Sequence, residues 1–421
     1  MGPNSITTQG TQARFLHVLL VSFAIALPLA QELVPVILVG ILVLAVWNFV
    51  KGDRQLHHWD IRSPYPWMIL IYAFHLLGLF WTTNMDFAGL DLGIKAPLLV
   101  FPALVLLGTK VQDQRFVMRA FVISNAVAVG LCLFEAGYNS MVYALGVYPD
   151  PLSNYTLTVP FFASNFALFL HPTYMAMYCT VGLVLLSLEV VRAGWARTWV
   201  VLLGIALMIG VVLSASKAGW SVLLLLFILL AVSRSHGEHV RRWARIAIGV
   251  SLVVGVMLFI GTEFVRERIM QVVFAVSGAQ SDMANSSNDR LQIWDAALTL
   301  IREHPVLGAG TGDVKDVLLD QYAAKGYSEP LEKQLNAHDQ FLNTGVALGV
   351  GASILLLVML LLPMFTAQRA GRWVPAIFLL ITFLNWTVES MLEVQAGVMF
   401  FAFFTWLFWE PTAVPAERRT L

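Results

Sequence analysis

The side chains best placed to do chemistry stand at the edges of apolar runs. His338 lies in the string NAHDQFLNTGVALGVG, directly before a long apolar stretch. The positive end of a helix opposes protonation of an imidazole, so a histidine there is disposed to stay neutral and accept a proton, as a general base does. The alternative is an interfacial histidine that only caps or anchors its helix. Arg290 opens the stretch DRLQIWDAAL four residues before Trp294, so the two share a helix face. A guanidinium grips phosphate oxygens with two parallel bonds, and an apolar neighbour suits a phosphate carried on a lipid. Pairing with Asp289 or Glu303 is its plainer role. Lys217 sits in LSASKAGW, a short break between apolar runs, with Ser214 and Ser216 as hydroxyl donors beside it. It either neutralises a phosphate at the membrane surface or snorkels to the interface. Arg266 and Arg268 leave another apolar run in the same way, as further phosphate ligands or as anchors. Glu389 and Glu393 stand at the turn between the last two apolar runs, where they orient His338, hold the cations in place or stay solvated.

The elements that must position these residues are membrane helices. Of 421 residues, 58% are hydrophobic and 12% charged, against roughly a quarter charged in soluble domains. That excludes an ordinary soluble enzyme. Lys plus Arg and Asp plus Glu are 26 each, so no bulk positive charge draws the chain to nucleic acid. Cys132 and Cys179 both lie in apolar runs and read as small buried hydrophobes, with no disulfide, metal or redox role. A hydrocarbon core needs roughly 20 apolar residues per helix. Twelve runs qualify: 15–30, 33–50, 66–81, 92–107, 116–137, 171–191, 197–213, 218–233, 244–261, 340–362, 374–388 and 391–409. The first is followed almost at once by the second and lacks a small-residue cleavage site, so the N-terminus is expected to be retained. The fold class is an all-α integral membrane protein of about twelve transmembrane helices.

Lys and Arg are held on the cytoplasmic side of short loops. With the N-terminus cytoplasmic, seventeen basic residues fall inside and nine outside, and the outer loops 82–91 and 138–170 carry none. Both termini are therefore expected to be cytoplasmic. Seven of the outer nine (Arg266, Arg268, Arg290, Arg302, Lys315, Lys325 and Lys333) fall in segment 262–339, which is too long for a plain connection. From Asp289 to Glu303, Leu291, Trp294, Leu298 and Ile301 recur at helical spacing, with Asn288 as cap and His304 and Pro305 as the stop. Further helices are expected from Asp313 to Ala324 and from Glu263 to Val276. The chain divides into nine spans over 1–261, a helical outer loop over 262–339, and three spans with a tail over 340–421. The run PVLGAGTGD has neither dinucleotide nor P-loop spacing and reads as a tight turn between loop helices. Tyr138, Tyr143, Tyr148, Tyr155, Phe161 and Phe162 line a lipid or sugar groove or belong to an interfacial belt.

Taken in order, the SASKAG turn, the DRLQIWDAAL helix leading into HPVLGAGTGD, and NAHDQFLNTGVALGVG entering a span resemble the O-antigen ligase and polymerase family of bacterial cell envelopes. The likeness covers roughly residues 200–360. It implies a metal-independent glycosyltransferase, without cofactor, at the periplasmic face of the bacterial inner membrane. Such enzymes take a glycan from undecaprenyl diphosphate and, in ligases, attach it to the lipid A-core oligosaccharide. The resemblance makes His338 the catalytic histidine and Arg290 a diphosphate-binding residue. Lys217 stands where many relatives have arginine, and lysine lacks the two-pronged grip.

The chemistry agrees on independent grounds. The periplasm offers no nucleotide sugars, so transfer there must draw on a lipid carrier whose leaving group is a diphosphate. Cations stabilise the charge that develops on it, while His338 removes the acceptor hydroxyl proton in a displacement with inversion. The large loop placed late in the chain favours a ligase over a polymerase, and a protein O-oligosaccharyltransferase shares the same donor chemistry. A secondary transporter also fits twelve spans. However, the polar residues crowd at one membrane face, and the long loop breaks the symmetry between halves that transporters show.

Overall fold

The computed structural model describes residues 3–52, 58–145, 159–192, 197–232 and 286–409, together with Leu56, Arg245 and Gly249. Among the described residues are sixteen α-helices and no strand. Four helices are long and apolar enough to cross a membrane: α1 (Pro3–Leu29), α2 (Val34–Lys51), α6 (Gln114–Ala144) and α14 (Val350–Arg369). A fifth span is obtained by joining α4 (Met85–Lys95) to α5 (Pro97–Leu106) across a 40° bend. Shorter apolar stretches lie in α3 (Tyr65–Leu77), α7 (Pro172–Arg192), α8 (Arg197–Leu213), α9 (Lys217–Val232), α15 (Trp373–Trp386) and α16 (Gln395–Trp409). The expected span 244–261 and the expected helix from Glu263 to Val276 lie outside the described residues.

Two expected spans are broken. The run 92–107 contains the junction of α4 and α5, because Pro97 has no N–H to continue the first helix and favours the first turn of the second. The run 340–362 divides into α13 (Gln340–Leu348) and α14 at Gly349. Gly349 has φ +80°, and a Cβ there would lie 2.4 Å from the Val306 carbonyl oxygen. Only glycine meets both demands.

Helix α16 is buried on every face from Ala396 to Phe408, as a helix apolar all round must be. Three neighbours press aromatic rings onto it. Tyr178 of α7 stacks on Phe400 at 4.2 Å, Phe23 of α1 meets Phe403 at 4.6 Å, and Phe121 of α6 meets Phe404 at 4.6 Å. Outward-facing Val36, Val39, Val43, Leu202 and Ile205 are exposed, a surface suited to lipid rather than to water.

The long loop contributes α10 (Ser286–Glu303), α11 (Val314–Lys325) and a short unanticipated α12 (Ser328–Glu332). Asn288 lies inside α10 instead of capping it. Ile293, Ala296 and Ala297 of α10 are fully buried, and α10 packs on α13. The run PVLGAGTGD is a turn, and it is also the strip that docks this layer onto the bundle. Ala309 N donates to Val346 O at 2.8 Å and Gly310 N to Ala347 O at 2.9 Å. Asp313 accepts from Thr83 N, Thr83 Oγ1 and Asn84 N, each at 2.8 Å.

Candidate active site

A cavity of about 320 Å³ opens where segments 163–164, 171–173, 214–218, 289–293 and 333–338 meet, with Glu389 completing its wall. That volume lies within the range of roughly 300–1,000 Å³ usual for small-molecule sites. Lys217, Arg290, His338, Glu389 and Ser216 all line it, although they come from four distant parts of the chain.

Each side chain is placed by a local device. Ser216 Oγ accepts from Gly219 N at 3.1 Å and so caps α9, whose first residue is Lys217. Ser216 is thus occupied in holding the turn. The preceding Ala215 adopts φ +49° and packs against Phe162, with Phe161 of the same aromatic run packed against the pair. Arg290 lies in the first turns of α10, half-buried. Helix α13 is capped by Asp339, whose side chain accepts from Leu342 N at 2.8 Å. His338 therefore does no capping. Its backbone has φ +45° and its N–H donates to Asn336 Oδ1 at 3.0 Å.

His338 Nδ1 lies 3.3 Å from Glu389 Oε1, at ion-pair distance but off the line of a straight hydrogen bond. Burial acts to raise the Glu389 carboxyl, but contact with His338 and the nearby His171 and Arg290 outweigh it. The net result is a carboxyl held below its ordinary range and ionised at neutral pH. Asp289 and Lys333 face each other across the mouth at 3.8 Å, and Lys333 also pairs with Glu329 at 2.5 Å. Of the four non-glycine residues with positive φ among those described, Ala163, Ala215 and His338 line this cavity. Such backbone is costly and collects where a site requires it.

Other expected residues lie elsewhere. Trp294 does not line the cavity: it packs half-buried against the apolar core, its Nε1 without a hydrogen-bond partner. Glu393 points away from His338 into a separate buried group. Its Oε2 lies 2.7 Å from Lys95 Nζ, and its Oε1 accepts from Gln340 Nε2 at 3.0 Å. Lys95 also pairs with Asp91, four residues earlier on α4. Sequence reading missed this group, although a lysine inside an apolar run with an acid four residues before it was a usable signal. His171, Ser164 and Thr173 carried no such signal. Arg266 and Arg268 lie outside the described residues. Among the described residues no group of three or more His, Cys, Asp or Glu side chains is arranged to hold a metal ion.

Residues 199–357 match the family model described as O-antigen ligase. The matched segment takes in the SASKAG turn, the α10 helix and the start of α14, and spans well under half of the chain. Lys217, Arg290 and His338 fall inside the matched segment and Glu389 beyond it. A protein of Haemophilus influenzae (strain ATCC 51907 / DSM 11121 / KW20 / Rd), described only as uncharacterized, is 24% identical over 147 residues. That match covers 28% of this chain and 37% of the relative, so this chain spans well under half of that protein's length.

Proposed function

We propose that the chain is an O-antigen ligase that transfers a glycan from undecaprenyl diphosphate to the lipid A-core oligosaccharide at the periplasmic face of the bacterial inner membrane. The observation that carries this reading is the cavity where the His338–Glu389 pair faces Arg290 and Lys217. The acceptor hydroxyl oxygen attacks the anomeric carbon of the donor sugar and forms the new glycosidic bond. The old bond to the diphosphate oxygen breaks, and undecaprenyl diphosphate leaves with the electron pair. His338 takes the hydroxyl proton on Nε2, the ring nitrogen turned away from Glu389, and the ionised Glu389 stabilises the imidazolium that results. Arg290 and Lys217 neutralise the leaving diphosphate, with Arg266 as a third cation. These side chains supply the charge that a metal ion would otherwise provide, so the mechanism is metal-independent and inverting. Segment 262–339 forms the periplasmic cap between spans 9 and 10 of a twelve-span chain whose termini are cytoplasmic.

A polymerase would use the same donor site and differ only in its acceptor. The deciding experiment incubates the purified protein in nanodiscs with undecaprenyl-diphosphate glycan and either lipid A-core or a second lipid-linked glycan. Ligated lipid A-core is expected, and His338→Ala should lower its rate by about 10²–10⁴-fold, the usual worth of a general base. Product from the second acceptor alone would make the protein a polymerase. A fully active His338→Ala would remove the base.

A further inference from the structure

Helix α14 has 20 residues from Val350 to Arg369. At 1.5 Å per residue it spans about 30 Å, the thickness of a hydrocarbon core. Arg369 lies in its last turn and marks one edge of that core, so Val350 marks the other. Pro305 O accepts the Val350 N–H at 2.9 Å, and the Val306 carbonyl presses on Gly349. The chain tip at 305–307 is thereby pinned at the depth where hydrocarbon begins. Its side chains are apolar and project outward: Val306 is 78% exposed and Leu307 55%. Below them on α14, Val350 and Ile354 are exposed as well. Helix α3, which packs beside α14, ends in exposed Leu76 and Leu77 and is followed by Phe80, 86% exposed. The tip therefore continues the lipid-facing surface of two bundle helices.

We propose that residues 305–307 form a membrane wedge: Val306 and Leu307 enter the acyl chains of the adjoining leaflet and anchor the arm that carries Arg290. That arm is α10, an 18-residue rod of about 27 Å. Arg290 stands near one end of it over the cavity, and the wedge follows directly from the other end. Lipid gripping the tip fixes the rod against the bundle, so the bilayer helps set the position of a cavity wall. This surface is distinct from the glycan-transfer reading and does not depend on it.

The test places a polarity-sensitive fluorophore on Val306→Cys in the full-length protein in nanodiscs, with Ala324→Cys on the exposed side of α11 as the reference. The two native cysteines are buried and do not compete for label. Quenching by lipids spin-labelled near the headgroup is expected to be at least threefold stronger at 306 than at 324, and quenching by aqueous iodide correspondingly weaker. Equal responses at the two sites would overturn the wedge, as would a 306 label shielded from both quenchers by a second copy of the protein. Because Val306 is exposed, its substitution leaves the packed core untouched.

Discussion

Lys95→Met removes one ammonium from the most deeply buried charged group described and keeps its stem. Lys95 is 1% exposed, in contact with Asp91 (4%) and 2.7 Å from Glu393, whose side chain is 18% exposed. Without the ammonium, two carboxylates face each other with no opposing charge. Breaking a buried pair by removing one partner costs about 3–5 kcal/mol. Because Glu393 keeps some contact with solvent, the lower end, about 3 kcal/mol, is expected. Reversible unfolding in mixed detergent–SDS micelles at pH 8 reads the loss. The triple variant Lys95→Met, Asp91→Asn, Glu393→Gln, which removes all the charges together, should recover more than half of the loss. A single variant within about 0.5 kcal/mol of wild type at pH 8 would show that the group does not hold the fold. Gln340, which bridges Glu393 and Leu392 N, lies two residues after His338, and Glu393 lies four after Glu389. The same break should therefore loosen the His338–Glu389 pair.

Glu389→Gln keeps the side-chain shape but removes the charge beside His338. We expect kcat to fall about 10- to 100-fold, equivalent to about 1.4–2.8 kcal/mol, with donor KM steady; an unchanged kcat would refute the pairing. The Glu389 carboxyl is held below its ordinary 4.5, so its ionic contribution to stability is full above that value and is lost as pH falls through the lower folded value. The stability gap between wild type and Glu389→Gln should accordingly shrink as pH falls below 4.5. A gap that closes already at pH 6 would contradict the contacts drawn for this carboxyl. Gly312→Ala would put a Cβ 2.0 Å from Asn84 O and should cost about 1–3 kcal/mol by overpacking. Faster amide exchange along 308–316 is the expected signature, and unchanged exchange would show that the docking strip tolerates a side chain. Arg290→Lys keeps the charge and loses the fork, so donor KM should rise about tenfold while acceptor KM holds. Equal changes in both would argue against diphosphate binding.

What the sequence determined by itself is everything that depends on local period and local hydropathy. Among the described residues the apolar runs became helices, the 3.6-residue pattern of Leu291, Trp294, Leu298 and Ile301 placed α10, and the polar breaks before α9 and α13 marked Lys217 and His338 as residues at helix starts. Tertiary structure alone decided the rest. It broke two runs at Ala96 and Gly349, where a proline and the close approach of Val306 outweigh hydropathy. It separated Glu389 from Glu393, four residues apart in one turn, sending the first to His338 and the second to Lys95. It turned Trp294 into the core and brought residues 217, 290, 338 and 389 around one cavity. Helix formation is local, because each turn bonds to the next. Which polar groups meet depends on how the buried faces of distant helices pack, and no single stretch of sequence contains that information.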